Sequence, residues 1–141
     1  GEKMSELTAE DLPWPLRSFA ARFGMAPVSN LVERFGGNII FVSKRLEGKH
    51  YGQLCDALGC ESAGNLCRYF GGQTLYVPSF KRLKTGRRNA ALVAERDDLA
   101  KGGMGERDLV RVLSRRYDLS ERQVWRILKQ SWTVDAPEVA Q

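Results

Sequence analysis

Asn65–Ser79 reads NLCRYFGGQTLYVPS. A helically spaced apolar stretch is cut by Gly71-Gly72, and a short run of alternating character follows, closed by Pro78. Glycine ends helices because it takes the left-handed conformation without a Cβ penalty, and a period-two run bounded by glycine and proline reads as a strand. A near copy stands upstream at Asn30–Lys44, NLVERFGGNIIFVSK. The copies agree at Asn, Leu, Phe, Gly, Gly and Val, with a period of 35 residues. In the first strand Ile39, Phe41 and Ser43 point one way and Ile40 and Val42 the other. In the second, Gln73, Leu75 and Val77 share one face, and Thr74 and Tyr76 share the other. Two isolated short strands do not stand alone in water. The reading is therefore a duplicated helix–strand unit over 29–80, whose strands form an antiparallel ribbon with each other, with a partner subunit, or both. Two units are too few for a solenoid.

The glycine pairs do not read as a phosphate loop. Such a loop runs strand, glycines, helix, so that a helix N-terminus meets the anion. Here the helix comes first and presents its opposite pole.

The chain has 141 residues, enough for one domain or one domain plus a small appendage, with 43% apolar residues and so an ordinary globular composition. No apolar run is long enough to span a bilayer, so no membrane association is expected. No charged start followed by an apolar stretch marks a leader, and Gly1-Glu2-Lys3 ahead of Met4 read as an extraneous addition. Three cysteines, without CxxC spacing, fit a reducing compartment, the cytoplasm. Charge is unevenly placed. Residues 1–80 carry 8 basic and 8 acidic side chains, whereas 81–141 carry 14 basic and 9 acidic and hold the whole net +5. Lys81, Arg82, Lys84, Arg87 and Arg88 cluster in KRLKTGRR with no acid among them. That segment is either a solvated linker or an arm that contacts phosphates, since clustered cations displace counterions from nucleic acid.

Three helical segments follow the basic run. The first spans about Asn89 to Lys101 and is stopped by GGMG. The second, about Glu106 to Arg116, sets Leu109, Val112 and Leu113 on one face with Tyr117 at its end. Asp118-Leu119-Ser120 makes a tight turn, and Asp tolerates a left-handed backbone better than most residues. Ser120 with Gln123 then forms a capping box for a third helix that buries Val124, Ile127 and Leu128. This is the register of a helix-turn-helix. Leu113, Tyr117, Leu119, Val124 and Ile127 fall where two crossed helices must touch, and Ser114 lets them approach. Arg122, Trp125, Arg126 and Lys129 are left on the outer face, with Arg115 and Arg116 ending the preceding helix. A helix entering the major groove needs arginines near its N-terminal half for base edges and flanking cations for phosphates. Arg122 and Arg126 are the candidate base contacts. Ser120, Arg115, Arg116, Lys129 and the basic arm are the candidate phosphate contacts. Gln123 could read adenine or serve only as a cap. Trp125 reads as packing against a sugar or a neighbouring helix rather than as a base reader.

The order Phe70-Gly71-Gly72, Tyr76-Val77-Pro78, Arg88-Asn89, then Tyr117 through Leu128 resembles the Mor/C family of phage-Mu-like middle and late transcription activators. The resemblance covers about residues 55–130. It implies a phage or prophage activator acting as a homodimer on duplex DNA. The N-terminal part would dimerise through helices and strands, with Phe70, Leu75 and Val77 expected at that interface. The strand before the arm, with Gln73, Thr74 and Tyr76, would lie near the DNA. Two departures stand out: one additional residue separates the glycine pair from the tyrosine, and Asp118 replaces the more usual glycine of the turn.

Other chemistry finds less support. His50, Cys55, Cys60 and Cys67 are spaced without the tight paired knuckle of structural zinc sites, and Cys55 and Cys67 sit in apolar helical patterns where cysteine acts as a small hydrophobe. The lone histidine has no recognisable nucleophile or paired carboxylates around it, so neither an enzyme nor a cofactor is expected. Trp14, bracketed by Pro13 and Pro15, precedes a short helix, about Leu16 to Phe23, that could cap the fold or contact RNA polymerase. The expected architecture is mainly α with a short antiparallel β ribbon. It comprises an N-terminal segment (1–28), the helix–strand dimerisation region (29–80), the basic arm and helix-turn-helix (81–130) and a flexible tail (131–141). The alternative reading is a structural or adaptor protein that binds a protein partner instead of DNA.

Overall fold

The computed structural model describes residues 7–140, with side chains described through Ser131. The expectations for Gly1–Lys3, and for side chains of the tail beyond Ser131, lie outside the described residues. A short 3-10 turn, Ala9–Asp11, leads into seven α-helices and two strands. They are α1 (Trp14–Phe23), α2 (Met25–Phe35), β1 (Asn38–Val42), α3 (Gly48–Leu58), α4 (Cys60–Phe70), β2 (Gln73–Val77), α5 (Phe80–Lys101), α6 (Glu106–Tyr117) and α7 (Glu121–Ala140). The chain is thus mainly helical with one antiparallel ribbon, as the sequence pattern indicates. It divides into two compact units at Thr85/Gly86. α7 runs on through most of the segment expected as a tail.

In the first unit, α2 buries Val28, Leu31 and Val32, and α4 buries Ala63, Leu66, Cys67 and Phe70. Both sets follow the i, i+3, i+4 spacing of a single helix face. Phe19 and Leu54, from the helices that precede them, join the same core. Full burial of a Leu or Phe contributes about 1.5–3 kcal/mol each, which is why these faces, rather than helix propensity, hold the unit together. The strands pair within the chain: Ile40 stands opposite Leu75, Ile39 opposite Tyr76 and Phe41 opposite Thr74. Ile40, Val42, Leu75 and Val77 face the core, so the alternation read from sequence places each strand residue on the correct side.

The duplication is larger than a helix–strand unit. α1, α2 and β1 form one copy and α3, α4 and β2 the other, with Gly24 and Gly59 joining the helices of each. α1 starts at Trp14, two residues before the expected helix, and Pro15 fits there because its missing N–H lies in the first turn.

The basic segment is a second correction. KRLKTGRR, read as a linker or a phosphate-contacting arm ahead of a helix starting near Asn89, is itself helical and forms the first half of the 22-residue α5. Ser79 Oγ accepts the Arg82 amide at 3.1 Å and starts the helix. Gly86 in its interior costs about 1 kcal/mol relative to Ala, offset by strong helix formers on both sides and by the anchoring of Leu83 and Leu92 in buried clusters.

The second unit packs Leu92 of α5, Leu109, Val110 and Leu113 of α6, and Val124, Ile127 and Leu128 of α7 into its own core. Val110 rather than Val112 completes the α6 stripe; Val112 lies half-buried at its margin. The buried arc is centred on 109, 113 and 117, four residues apart, and position 110 falls nearer to that line than 112 does.

Candidate nucleic-acid interface

The turn between α6 and α7 is built as its residues demand. Asp118 adopts the left-handed conformation, φ 56° and ψ 48°, the only positive-φ non-glycine among the described residues. The Leu119 amide returns to the Ser114 carbonyl at 3.0 Å, and the Ser114 hydroxyl donates to the Leu119 carbonyl. The small Ser114 thus ties down the turn from both ends. The capping box is complete. The Gln123 amide donates to Ser120 Oγ at 3.1 Å, and the Ser120 amide donates to Gln123 Oε1 at 2.9 Å. Both side chains therefore take part in starting α7.

With its start fixed, α7 turns Val124, Ile127 and Leu128 inward. Tyr117 and Leu119 pack half-buried against the same core, beside Leu113. Among the described side chains of α7 after Glu121, the exposed ones are Arg122, Gln123, Trp125, Arg126, Lys129 and Gln130, and none of these is acidic. Trp125 is 41% exposed.

On α6, Arg115 is exposed and lines a shallow depression with Arg111, Val112 and Arg116. Arg116 is less available than its position suggests. Its guanidinium is paired with Glu95 of α5, whose other carboxylate oxygen accepts the Tyr117 hydroxyl at 2.9 Å. That carboxylate fastens the end of α6 to α5. Sequence reading missed Arg111, which with Arg107 and Arg115 forms an exposed four-residue-spaced row; the signal was the i, i+4 periodicity of arginines on one helix.

In the basic half of α5, Lys81, Arg82 and Arg87 are exposed, while Lys84 and Arg88 are half-buried. The Arg88 guanidinium donates twice to Asn89 Oδ1, at 2.9 and 3.2 Å. Arg82 lies over the Tyr76 ring, 6.0 Å from its centroid, and Lys84 over Phe80 at 5.9 Å, both within cation–π reach. On the ribbon, Gln73 and Thr74 are exposed and Tyr76 is 42% exposed, alongside Ile39 and Phe41 of β1.

Phe70, Leu75 and Val77, expected at a subunit interface, are buried in the chain's own core. The alternation groups Leu75 and Val77 on one face of the strand. Their cover is α1–α4 of the same chain rather than a partner, because the first copy supplies the second layer.

His50 and the thiols lie apart in character. The His50 ring meets Phe41 edge-on at 5.3 Å. Cys55 is half-buried, Cys60 exposed and Cys67 buried, all unpaired. Burial pushes the Cys67 thiol up, and a side-chain hydrogen bond with Cys55 does the same for Cys60. The Tyr51 phenol, bonded to Cys55, is raised to about 12. Raised thiol pKa values leave little thiolate at neutral pH, the opposite of an activated nucleophile. Among the described residues no three His, Cys, Asp or Glu side chains come together as a metal-binding group, and no helix is long and apolar enough to cross a membrane.

Residues 42–137 match the model of the Mor transcription activator family. No curated protein and no solved structure gives a significant match to the chain.

Proposed function

The chain belongs to the Mor transcription activator family, and from that premise we propose that it regulates transcription by binding duplex DNA through α6 and α7. The observation that carries this reading is the outward face of α7, where Arg122, Arg126 and Lys129 stand with no acid among the exposed positions from 122 to 130. α7 is the recognition helix, its N-terminal half in the major groove. Arg122 and Arg126 make the bidentate contacts for which guanidinium geometry suits guanine. Arg115, Lys129 and the cations at the start of α5 hold phosphates, and Arg111 joins them. Ser120 and Gln123 contribute by fixing where α7 begins, Arg116 by holding α6 against α5.

The family and the uneven charge support a phage or prophage activator working in the cytoplasm, with RNA polymerase as its protein partner and no catalytic role. A homodimer, as the resemblance implies, would have to assemble through surfaces other than Phe70, Leu75 and Val77.

Fluorescence anisotropy on a labelled random-sequence duplex, titrated with salt, tests the reading. About six phosphate contacts per chain give a log–log salt slope near −5. Arg122→Ala/Arg126→Ala keeps most of this non-specific affinity, because base contacts add little to it. Absence of binding even at low salt would leave α6–α7 as a scaffold and favour a protein partner.

A further inference from the structure

The two copies in the first unit are related by more than a shared pattern. Shifting by 35 residues carries Phe19 onto Leu54, Leu31 onto Leu66 and Val42 onto Val77, every one buried. The linking glycines repeat their backbone: φ 91° and ψ 170° at Gly24, φ 86° and ψ 152° at Gly59. Gly36 and Gly71 repeat theirs within two degrees.

Contacts between the copies are reciprocal. The Gly37 amide donates to the Val77 carbonyl at 2.7 Å, and the Gly72 amide to the Val42 carbonyl at 2.8 Å. A Cβ on Gly36 would stand 3.2 Å from Ser79 Cα and 3.4 Å from the Pro78 carbonyl. One on Gly71 would stand at the same distances from Lys44 Cα and the Ser43 carbonyl, the residues 35 earlier. In the ribbon, Asn38↔Val77 is mirrored by Val42↔Gln73 and Ile39↔Tyr76 by Phe41↔Thr74, while Ile40↔Leu75 is its own image. A local two-fold axis therefore passes through Ile40 and Leu75. Contacts in which i meets j while j's counterpart meets i's are the signature of an isologous dimer interface, here closed within one polypeptide.

The family match begins at residue 42, so it contains one copy and the helix-turn-helix and leaves the first copy ahead of it. A chain with one copy has a lone strand, which cannot stand alone and must find its mate in a second chain. We infer that α1–α2–β1 is an in-chain stand-in for that second subunit. The strand surface through which β2 would recruit another copy is filled in cis, and the protein is a monomer that brings a single helix-turn-helix. The ribbon is complete whether or not the chain binds DNA; only the consequence that its site is unpaired rests on the DNA-binding reading.

Sedimentation velocity of the full chain without DNA, combined with hydrogen exchange over β1 and β2, tests this independently of DNA binding. The expected result is one species of 15.9 kDa across the micromolar range, with equal protection of both strands that does not change on dilution. A species of twice that mass, or strand protection that fades with dilution, would overturn the inference.

Discussion

Replacing Gly36 or Gly71 by alanine should damage the ribbon to the same extent at both positions. Neither substitution strains the backbone, since φ near −50° with ψ near 130° is open to any residue. The cost comes from space. A Cβ at Gly36 would lie 2.5 Å from the Val32 carbonyl oxygen and 3.2 Å from Ser79 Cα; at Gly71 it would lie 2.3 Å from the Cys67 carbonyl oxygen and 3.2 Å from Lys44 Cα. All four are backbone atoms, which cannot rotate aside. One carbonyl of each pair belongs to the helix end, and the Gly36 amide bonds to it at 2.9 Å, so relief on one side breaks a cap on the other. Overpacking a tight site costs about 1–3 kcal/mol, and these belong at its upper end. Stiffening the unfolded chain returns about 0.4–1 kcal/mol, leaving a net loss of about 2 kcal/mol. With 1.4 kcal/mol per factor of ten, the ribbon should open about 30-fold more often. Hydrogen exchange of peptides spanning 36–42 and 71–77 reads this directly, with both peptides accelerated in each variant. A neutral or stabilising effect at either glycine, or acceleration confined to the mutated copy, would show that the two glycines are not tightly packed against the opposite copy.

The other expectations are simpler. Gly86→Ala should stabilise the chain by about 0.5–1 kcal/mol, because the site is helix interior with nothing within 4 Å of the added methyl; chemical denaturation followed by circular dichroism measures it. Ser120→Ala should cost about 1 kcal/mol by removing the acceptor for the Gln123 amide, read as a lower denaturation midpoint of the second unit. At neutral pH a bulky thiol reagent should take exposed Cys60 first and buried Cys67 only on unfolding. Since both thiols are raised above their ordinary value, labelling of Cys60 should quicken as pH rises and the thiolate forms; mass spectrometry of timed samples decides it.

Much of the helix-turn-helix was legible because its signals are local. Ser120 and Gln123 lie three residues apart, and Asp118 marks the turn by its own tolerance of positive φ. The ribbon was legible in its alternation, but alternation says which face is buried and not what buries it. The resemblance placed Phe70, Leu75 and Val77 at a subunit interface, whereas the chain's own core buries them. The first copy was only half visible: Gly36-Gly37 repeats Gly71-Gly72 by identity, whereas Phe19 matches Leu54, and Val28 matches Ala63, in burial alone. α5 was split because Pro78 looked like the close of a strand and the basic run after it like a linker or an arm; the Ser79 cap and the anchoring of Leu83 and Leu92 outweighed both. The Arg116–Glu95 pair joins residues 21 apart, beyond any local pattern.

The DNA-binding reading stands or falls on whether α7 reads base sequence. Selection from a random duplex library with the full-length protein tests it most directly, with Arg122→Ala/Arg126→Ala selected in parallel. The wild type is expected to enrich one short unpaired motif, and the double variant to retain duplex at low salt but enrich nothing. Binding without enrichment by the wild type, or the same motif recovered by the double variant, would contradict it.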